Sequence, residues 1–364
     1  MKFICDRIAL QEALAAASSV AMTRTPRPIL ECVRVTAEKD GLVLTAYDQE
    51  VGIRCRIPQV EVSKPGETLV HCARLMSIIR ESNDETMSFE SDDDVLNVRG
   101  KDSHFRVLGQ SVREFPPVPG MEGEPNFTVN LGELKTAIDK TLFAAAREST
   151  RYAINGVLWQ KRGKNLRLVA TDGRRLALSS ATIQDATDGD VQAIVPVKAL
   201  QLIGKLHLEG DEAVEVRITS NQIVIRSGRA TISSVLIEGN FPRWEDVIPR
   251  DNDREVSIKT DVFLSAVKRA ALLSSVESKG VMIKLHKDQM ELSSRSAEQG
   301  EANVKVDVPF KGAELSIGFN PEFLIDALKV CDEDATLELK DGTKPGLLKC
   351  GKDFQYVVMP VNLS

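Results

Sequence analysis

The amino-acid sequence predicts an α+β chain made of three copies of one unit, each with two helices packed on antiparallel sheets. Three observations predict it: helical apolar stripes that recur about 125 residues apart, strand segments with period-two alternation, and a Pro-containing stop closing each copy. A fixed period of supersecondary units marks an array, in which shape matters more than one reactive pocket.

The elements follow in chain order. Spacing predicts helices at 8–20 and 73–81 in the first copy, 131–145 and 198–206 in the second, and 261–275 and 321–330 in the third. Leu134, Ala137, Ile138 and Leu142 make one apolar stripe, and Phe263, Val267 and Ala271 make another. Among the strands, Val51, Ile53, Cys55 and Ile57 alternate with Gly52, Arg54 and Arg56. Val214, Val216 and Ile218 alternate with Glu215, Arg217 and Thr219, and Val304, Val306 and Val308 with Lys305 and Asp307. Such segments have one face on a core, as in antiparallel sheets. Lys39-Asp40-Gly41, Asp188-Gly189-Asp190 and Lys340-Asp341-Gly342 break them at hairpin spacing. The copies stop at Phe115-Pro116-Pro117-Val118, Phe241-Pro242 and Val358-Met359-Pro360. They define three domains, 1–125, 126–253 and 254–364, joined by Pro- and charge-rich linkers at 116–125 and 249–254 that few contacts are expected to cross.

Composition sets the class. With 42% apolar and 27% charged residues the chain reads as an ordinary globular protein, and no apolar run reaches membrane-spanning length. Met1-Lys2-Phe3-Ile4-Cys5-Asp6-Arg7 is charged too early for a secretory signal, so a cytoplasmic protein is expected. The six cysteines (Cys5, Cys32, Cys55, Cys72, Cys331 and Cys350) form no close pair in sequence and are expected to be buried free thiols. The four histidines lie far apart, without metal-ligand spacing. No phosphate-binding glycine loop, HExxH or nucleophile elbow is present, so no catalytic residue, metal or cofactor is expected. Asp92-Asp93-Asp94 reads as a solvated hairpin. The formal net charge is −6, yet the helical segments carry more basic than acidic residues. That asymmetry suggests helices turned toward a polyanion.

A specific signature appears at Ala170-Thr171-Asp172-Gly173-Arg174-Arg175-Leu176-Ala177. It resembles the ATDG-x-RLA segment of the bacterial sliding clamp family, the beta subunit of DNA polymerase III. The likeness runs the whole chain, through Met1-Lys2-Phe3, Pro28-Ile29-Leu30, Arg151-Tyr152, Asn155-Gly156, Val247-Ile248-Pro249, Gly318-Phe319-Asn320 and Tyr356-Val357-Val358-Met359-Pro360. The resemblance implies a non-catalytic head-to-tail homodimer whose six domains close a ring around duplex DNA, helices inward. A modest basic lining would attract phosphates without reading sequence.

By position, the resemblance places Arg24, Arg74, Tyr152 and Lys198 at or beside the DNA, and Arg80 is added to them. It implies a groove for short peptides from the replicative polymerase, an ATP-dependent clamp loader, repair and translesion polymerases and ligase-type factors. The groove would be walled by Ile154, Thr171, Gly173, Arg174, Arg175, Leu176, Pro242, Val247, Asn320, Phe323, Val357, Val358, Met359, Pro360 and Val361. It also implies a seam pairing an edge strand around 97–108 with one around 297–308 of a second copy. There Leu272 and Leu273 would meet Phe105 and Val107, while Glu298 and Glu301 face Arg99, Lys101 or Arg106. The chain departs from the family pattern at Ala153, Arg174, Asp246, Ser278 and Phe323. Asp246, standing where a basic residue is frequent, would turn away acidic peptides. The rival reading is a peptide-binding array that never encircles DNA.

Overall fold

The computed structural model describes residues 1–148, 153–206, 211–274 and 280–363. Six helices alternate with strands: α1 (Arg7–Ser18), α2 (Cys72–Glu81), α3 (Leu131–Leu142), α4 (Val197–Lys205), α5 (Thr260–Ala271) and α6 (Pro321–Leu328). Each overlaps a predicted segment, and α1, α2, α4 and α5 begin one residue before it. α1 stops earlier than the apolar pattern because its last turn tightens, with Ser19 N donating to Ala16 O at 3.2 Å. Short polar side chains start three of the helices: Asp6 accepts from Ala9 N, Asn130 from Glu133 N and Asn320 from Glu322 N.

Strand pairing repeats three times. The strand entering the first helix of each copy pairs with the strand leaving the second: Phe3 opposite Phe89, Phe127 opposite Val216, Val256 opposite Leu337. The strand after the first helix pairs with the strand before the second: Val33 opposite Val70, Leu158 opposite Ile194, Ile283 opposite Ile317. The chain packs into two compact units. One holds Met1–Glu133, Ile183–Gly189 and Lys198–Leu236; the other holds Leu134–Thr182, Asp190–Val197 and Ile237–Ser364. The central copy therefore gives one sheet to each unit.

In the first unit the strand Ala230–Val235 pairs with Val51–Ile57, joining the first and second copies in one sheet. In the second, Arg175–Ala186 pairs through its first residues with Phe354–Val358, joining the second and third. The alternating apolar residues named above are buried except Ile218, which is half-buried: Val51, Ile53, Cys55 and Ile57 are each at most 6% exposed. Asp92 to Asp94 form the turn between the strands Thr86–Asp92 and Val95–Arg99, with Asp93 at φ 48°.

Three expectations need correction. First, 116–125 is not a loose linker. Phe115 and Val118 are buried in a cluster with Cys32 and Leu69. Arg54 donates to Val118 O and Arg217 to Glu124 O, so arginines on the sheet clamp the backbone carbonyls of the segment. The segment 249–254 is likewise tied down, with Asp253 N donating to Leu339 O at 3.2 Å and Asn252 Nδ2 to Glu338 O at 3.3 Å. Second, Cys331 and Cys350 form a disulfide, their Cα atoms 5.5 Å apart. Cys331 follows α6 and Cys350 ends the strand Gly346–Cys350, so the fold brings together residues 19 apart in sequence. Cys5, Cys32, Cys55 and Cys72 are free and buried. Third, 97–108 is a hairpin rather than one strand. A turn closed by Gly100 N donating to Ser103 O divides Val95–Arg99 from His104–Gln110.

Among the described residues, no helix is long and apolar enough to cross a membrane, and no cluster of His, Cys, Asp and Glu could hold a metal ion.

Candidate functional site

An apolar cavity of about 200 Å³ opens in the second unit. Its walls are Ile154, Thr171, Gly173, Arg174, Arg175, Leu176, Pro242, Trp244, Val247, Val357 and Met359. Beneath it lies a core of Leu158, Val169, Leu176, Ile194, Trp244, Leu347 and Val357. Val247 and Met359 stand 41% and 40% exposed at the rim, beside an apolar cavity, a position that suits an incoming apolar group.

The 171–175 turn has a physical reason for each residue. Asp172 Oδ1 accepts from the backbone N–H groups of Arg174 and Arg175, at 2.9 and 3.1 Å, which fixes the bend. Thr171 Oγ1 donates to Arg175 O at 2.6 Å and accepts from Gly173 N at 3.1 Å, tying both ends of the turn together. Gly173 sits at φ 85°, a conformation that favours glycine, and it leaves the cavity wall bare of a side chain.

Arg175 anchors the turn from below. Its Nε donates to Asp172 Oδ2 at 3.0 Å, Nη1 to Asp326 Oδ2 of α6 at 2.9 Å, and Nη2 to Phe143 O just past α3 at 2.8 Å. The guanidinium also lies 4.5 Å from the ring centroid of Phe323 and 5.5 Å from that of Phe143. One planar fork thus fixes the turn, α3 and α6 relative to one another. Tyr356 donates to Phe323 O at 2.9 Å, and burial pushes its phenol above the ordinary tyrosine range, so it stays a donor. Phe323 therefore serves the wall by covering Arg175.

Val358 is fully buried, opposite Arg175 in the sheet, and acts as core rather than wall. Asn320 caps α6, and Pro360 and Val361 continue beyond Met359, whose N–H donates to Arg174 O at 2.9 Å. Trp244 escaped the sequence reading. Its position two residues after Pro242 and three before Val247, both assigned to the wall, was the available signal.

Three family descriptions of the DNA polymerase III beta subunit match in order: the N-terminal domain at 1–119, the central domain at 128–243 and the C-terminal domain at 245–362. The Beta sliding clamp of Pseudomonas aeruginosa is 33% identical, and that of Escherichia coli K12 30% identical, each covering 100% of both chains. The chain belongs to the beta sliding clamp family. The crystal structure of a DnaN sliding clamp from Pseudomonas aeruginosa bound to griselimycin superposes with TM-score 0.94 at 32% identity, and that of the Bacillus subtilis sliding clamp with 0.94 at 26%, both chains covered in full. The family is a non-catalytic processivity factor, in line with the missing catalytic motifs.

Of the residues that the clamp resemblance assigned to a seam, Phe105, Val107 and Glu301 lie on strands with a largely unpaired edge, whereas Leu272, Leu273 and Glu298 lie in turns. In the first unit, among the described residues, the strand His104–Gln110 pairs through His104 to Leu108 with Val95–Arg99 on one side, and on the other through Gly109 and Gln110 alone. Beside it an open trough of about 790 Å³ is lined by Ala73, Arg74, Ser77, Ile78 and His104 to Leu108. Phe105 and Leu108 are 37% and 63% exposed there, whereas Val107 is buried within its own chain. In the second unit, among the described residues, the strand Gly300–Asp307 pairs only with Gln289–Ser296. Leu272, past the end of α5, is 75% exposed, Leu273 is half-buried, and Glu298 and Glu301 are exposed.

The basic residues assigned to DNA that can be placed all fall in the first unit. Arg24 is exposed in the loop after α1, and Arg74 lines the trough beside Phe105. Arg80 pairs with its neighbour Glu81 at 3.0 Å. Lys198, at the start of α4, pairs with Asp48, a buried carboxylate that also accepts from Glu50 N and Val51 N. Tyr152, Arg151 and Ser278 lie outside the described residues.

Proposed function

We propose that this chain works as a DNA sliding clamp: two copies joined head to tail into a ring of six domains (1–125, 126–253 and 254–364 in each), encircling duplex DNA. The apolar cavity would tether the replicative polymerase, the ATP-dependent clamp loader and repair factors by short peptides carrying a Leu or Phe anchor. The single observation that carries the reading is this cavity, with bare Gly173 and adaptable Met359 among walls assembled by the family's signature turn. The ring is supported by two unpaired strand edges, each beside exposed apolar side chains, which a second copy would cover.

Two measurements test it. The native mass should come near twice 40.0 kDa. Protein loaded on nicked circular DNA should stay bound and then leave once the circle is cut, because only a topological binder slides off an end. A monomer that dissociates equally from circles and linear fragments would defeat the proposal.

A further inference from the structure

Met359 lines the groove, and the segment 359–363 that it begins is held at three points. Met359 N donates to Arg174 O and Val361 N to Gly318 O, both at 2.9 Å. Beyond them the side chain of Leu363 rests on two glycines. A Cβ added to Gly280 would fall 2.0 Å from Leu363 Cδ2; one added to Gly318 would fall 2.9 Å from Leu363 Cδ1 and 2.6 Å from Val361 O. Gly318 lies within a strand and has no positive φ, so its backbone does not require glycine. What the two glycines supply is room. Gly318 lies in the strand Leu315–Phe319, opposite Met282, and Gly280 immediately precedes the partner strand Val281–His286. The two positions together clear a notch for one leucine.

Met359 is the residue that this anchorage matters for. It lines the apolar cavity and also an adjoining cavity of about 530 Å³, walled by residues 245–252, Lys344 and Pro345. At 40% exposure its side chain has little packing of its own to hold it, so its place depends on the backbone on either side.

We infer that Leu363, seated in the Gly280/Gly318 notch, is a positioning residue that sets the Met359 wall of the groove and through it the affinity for partner peptides. The affinity part rests on the peptide-binding reading above; the positioning part does not. Loss of the anchor frees the segment beyond Gly318, and the wall moves away from Trp244.

The test uses the full-length protein with Leu363→Ala, Gly280→Ala, the double variant, and Leu363→Met as the conservative control. One readout is titration with a fluorescent peptide bearing a Leu-Phe anchor. The expected result is about tenfold weaker binding for Leu363→Ala and for Gly280→Ala. The double variant should be no weaker than Leu363→Ala alone, since the added methyl enters vacated space, and Leu363→Met should bind nearly as the parent does. The second readout needs no ligand. The chain has two tryptophans, and Trp159 is fully buried, so a rise in acrylamide quenching reports Trp244 at the cavity wall. Leu363→Ala should raise quenching with no change in native mass. Parent-like quenching in Leu363→Ala overturns the inference, and so does parent-like affinity. A parent protein that binds no peptide, with quenching raised as expected, overturns the peptide reading and upholds the positioning role.

Discussion

Replacing Arg175 with methionine removes the fork that ties the 171–175 turn to α3 and α6 while keeping an unbranched apolar stem. The bond to Asp172, at the less exposed end with side chains 11% and 21% exposed, is worth about 1.5–3 kcal/mol as a charge-assisted contact. Asp326 is 35% exposed, so its bond is screened and adds about 0.5–1 kcal/mol. The Phe143 carbonyl and the two ring contacts contribute about another 1–2 kcal/mol together. Methionine recovers part of the packing, which leaves an expected loss of about 3 kcal/mol. For a unit of this size that lowers the melting midpoint by about 6–12 °C. Trp159 and Trp244 both lie in the second unit, so their fluorescence follows the part of the chain that Arg175 holds. Arg175→Lys should fall between, because an ammonium cannot serve three acceptors in one plane. Asp326→Asn should cost about 1 kcal/mol alone and nothing further in the Arg175→Met background. A shift in Arg175→Met below that of Asp326→Asn would refute the reasoning and make Arg175 a surface residue available to ligand.

Gly173→Ala meets no atom within 4 Å, so its cost is the φ of 85° alone, about 1–2 kcal/mol by thermal melting, with a further loss of peptide binding as the methyl enters the cavity. Burial raises the thiols of Cys5, Cys55 and Cys72 to about 12 and that of Cys32 to about 11, so none should react with a disulfide reagent at pH 8 until denaturant is added, when four appear. The Cys331–Cys350 bridge closes a short loop worth about 3 kcal/mol, so dithiothreitol should lower the melting midpoint of the parent and leave that of the Cys331→Ser/Cys350→Ser variant where it is. Arg24→Glu should weaken retention on circular DNA and reduce the salt slope by about one, whereas Lys198→Glu should also destabilise the protein, because it sets a second carboxylate against Asp48; a slope unchanged in Arg24→Glu removes that residue from the DNA face.

The parts legible in the sequence are those governed by local periodicity. The six helices and the alternating strands follow from where Leu134, Ile138, Val51 or Val304 must point, and the signature turn is a local device of Thr171, Asp172 and Gly173. What escaped depends on partners far along the chain. Nothing near Cys331 announces Cys350, and the sequence around Arg175 gives no hint of Asp326, 151 residues away. The stretch 116–125 has the composition of a loose linker, yet Arg54 and Arg217, on strands remote in sequence, take its carbonyls. The resemblance assigned Val107 and Val358 to contact surfaces, and the pleat of the folded strands sends both inward.

The way strands cross between copies restricts how the molecule can be cut. Excising the first copy alone would bare Val51–Ile57 along the side where Ala230–Val235 now lies, and excising the third would bare Phe354–Val358 where Arg175–Ala186 now lies. Each fragment would present a flat, apolar ribbon to its neighbours and drop out of solution. The repeats are not units that can be expressed one at a time.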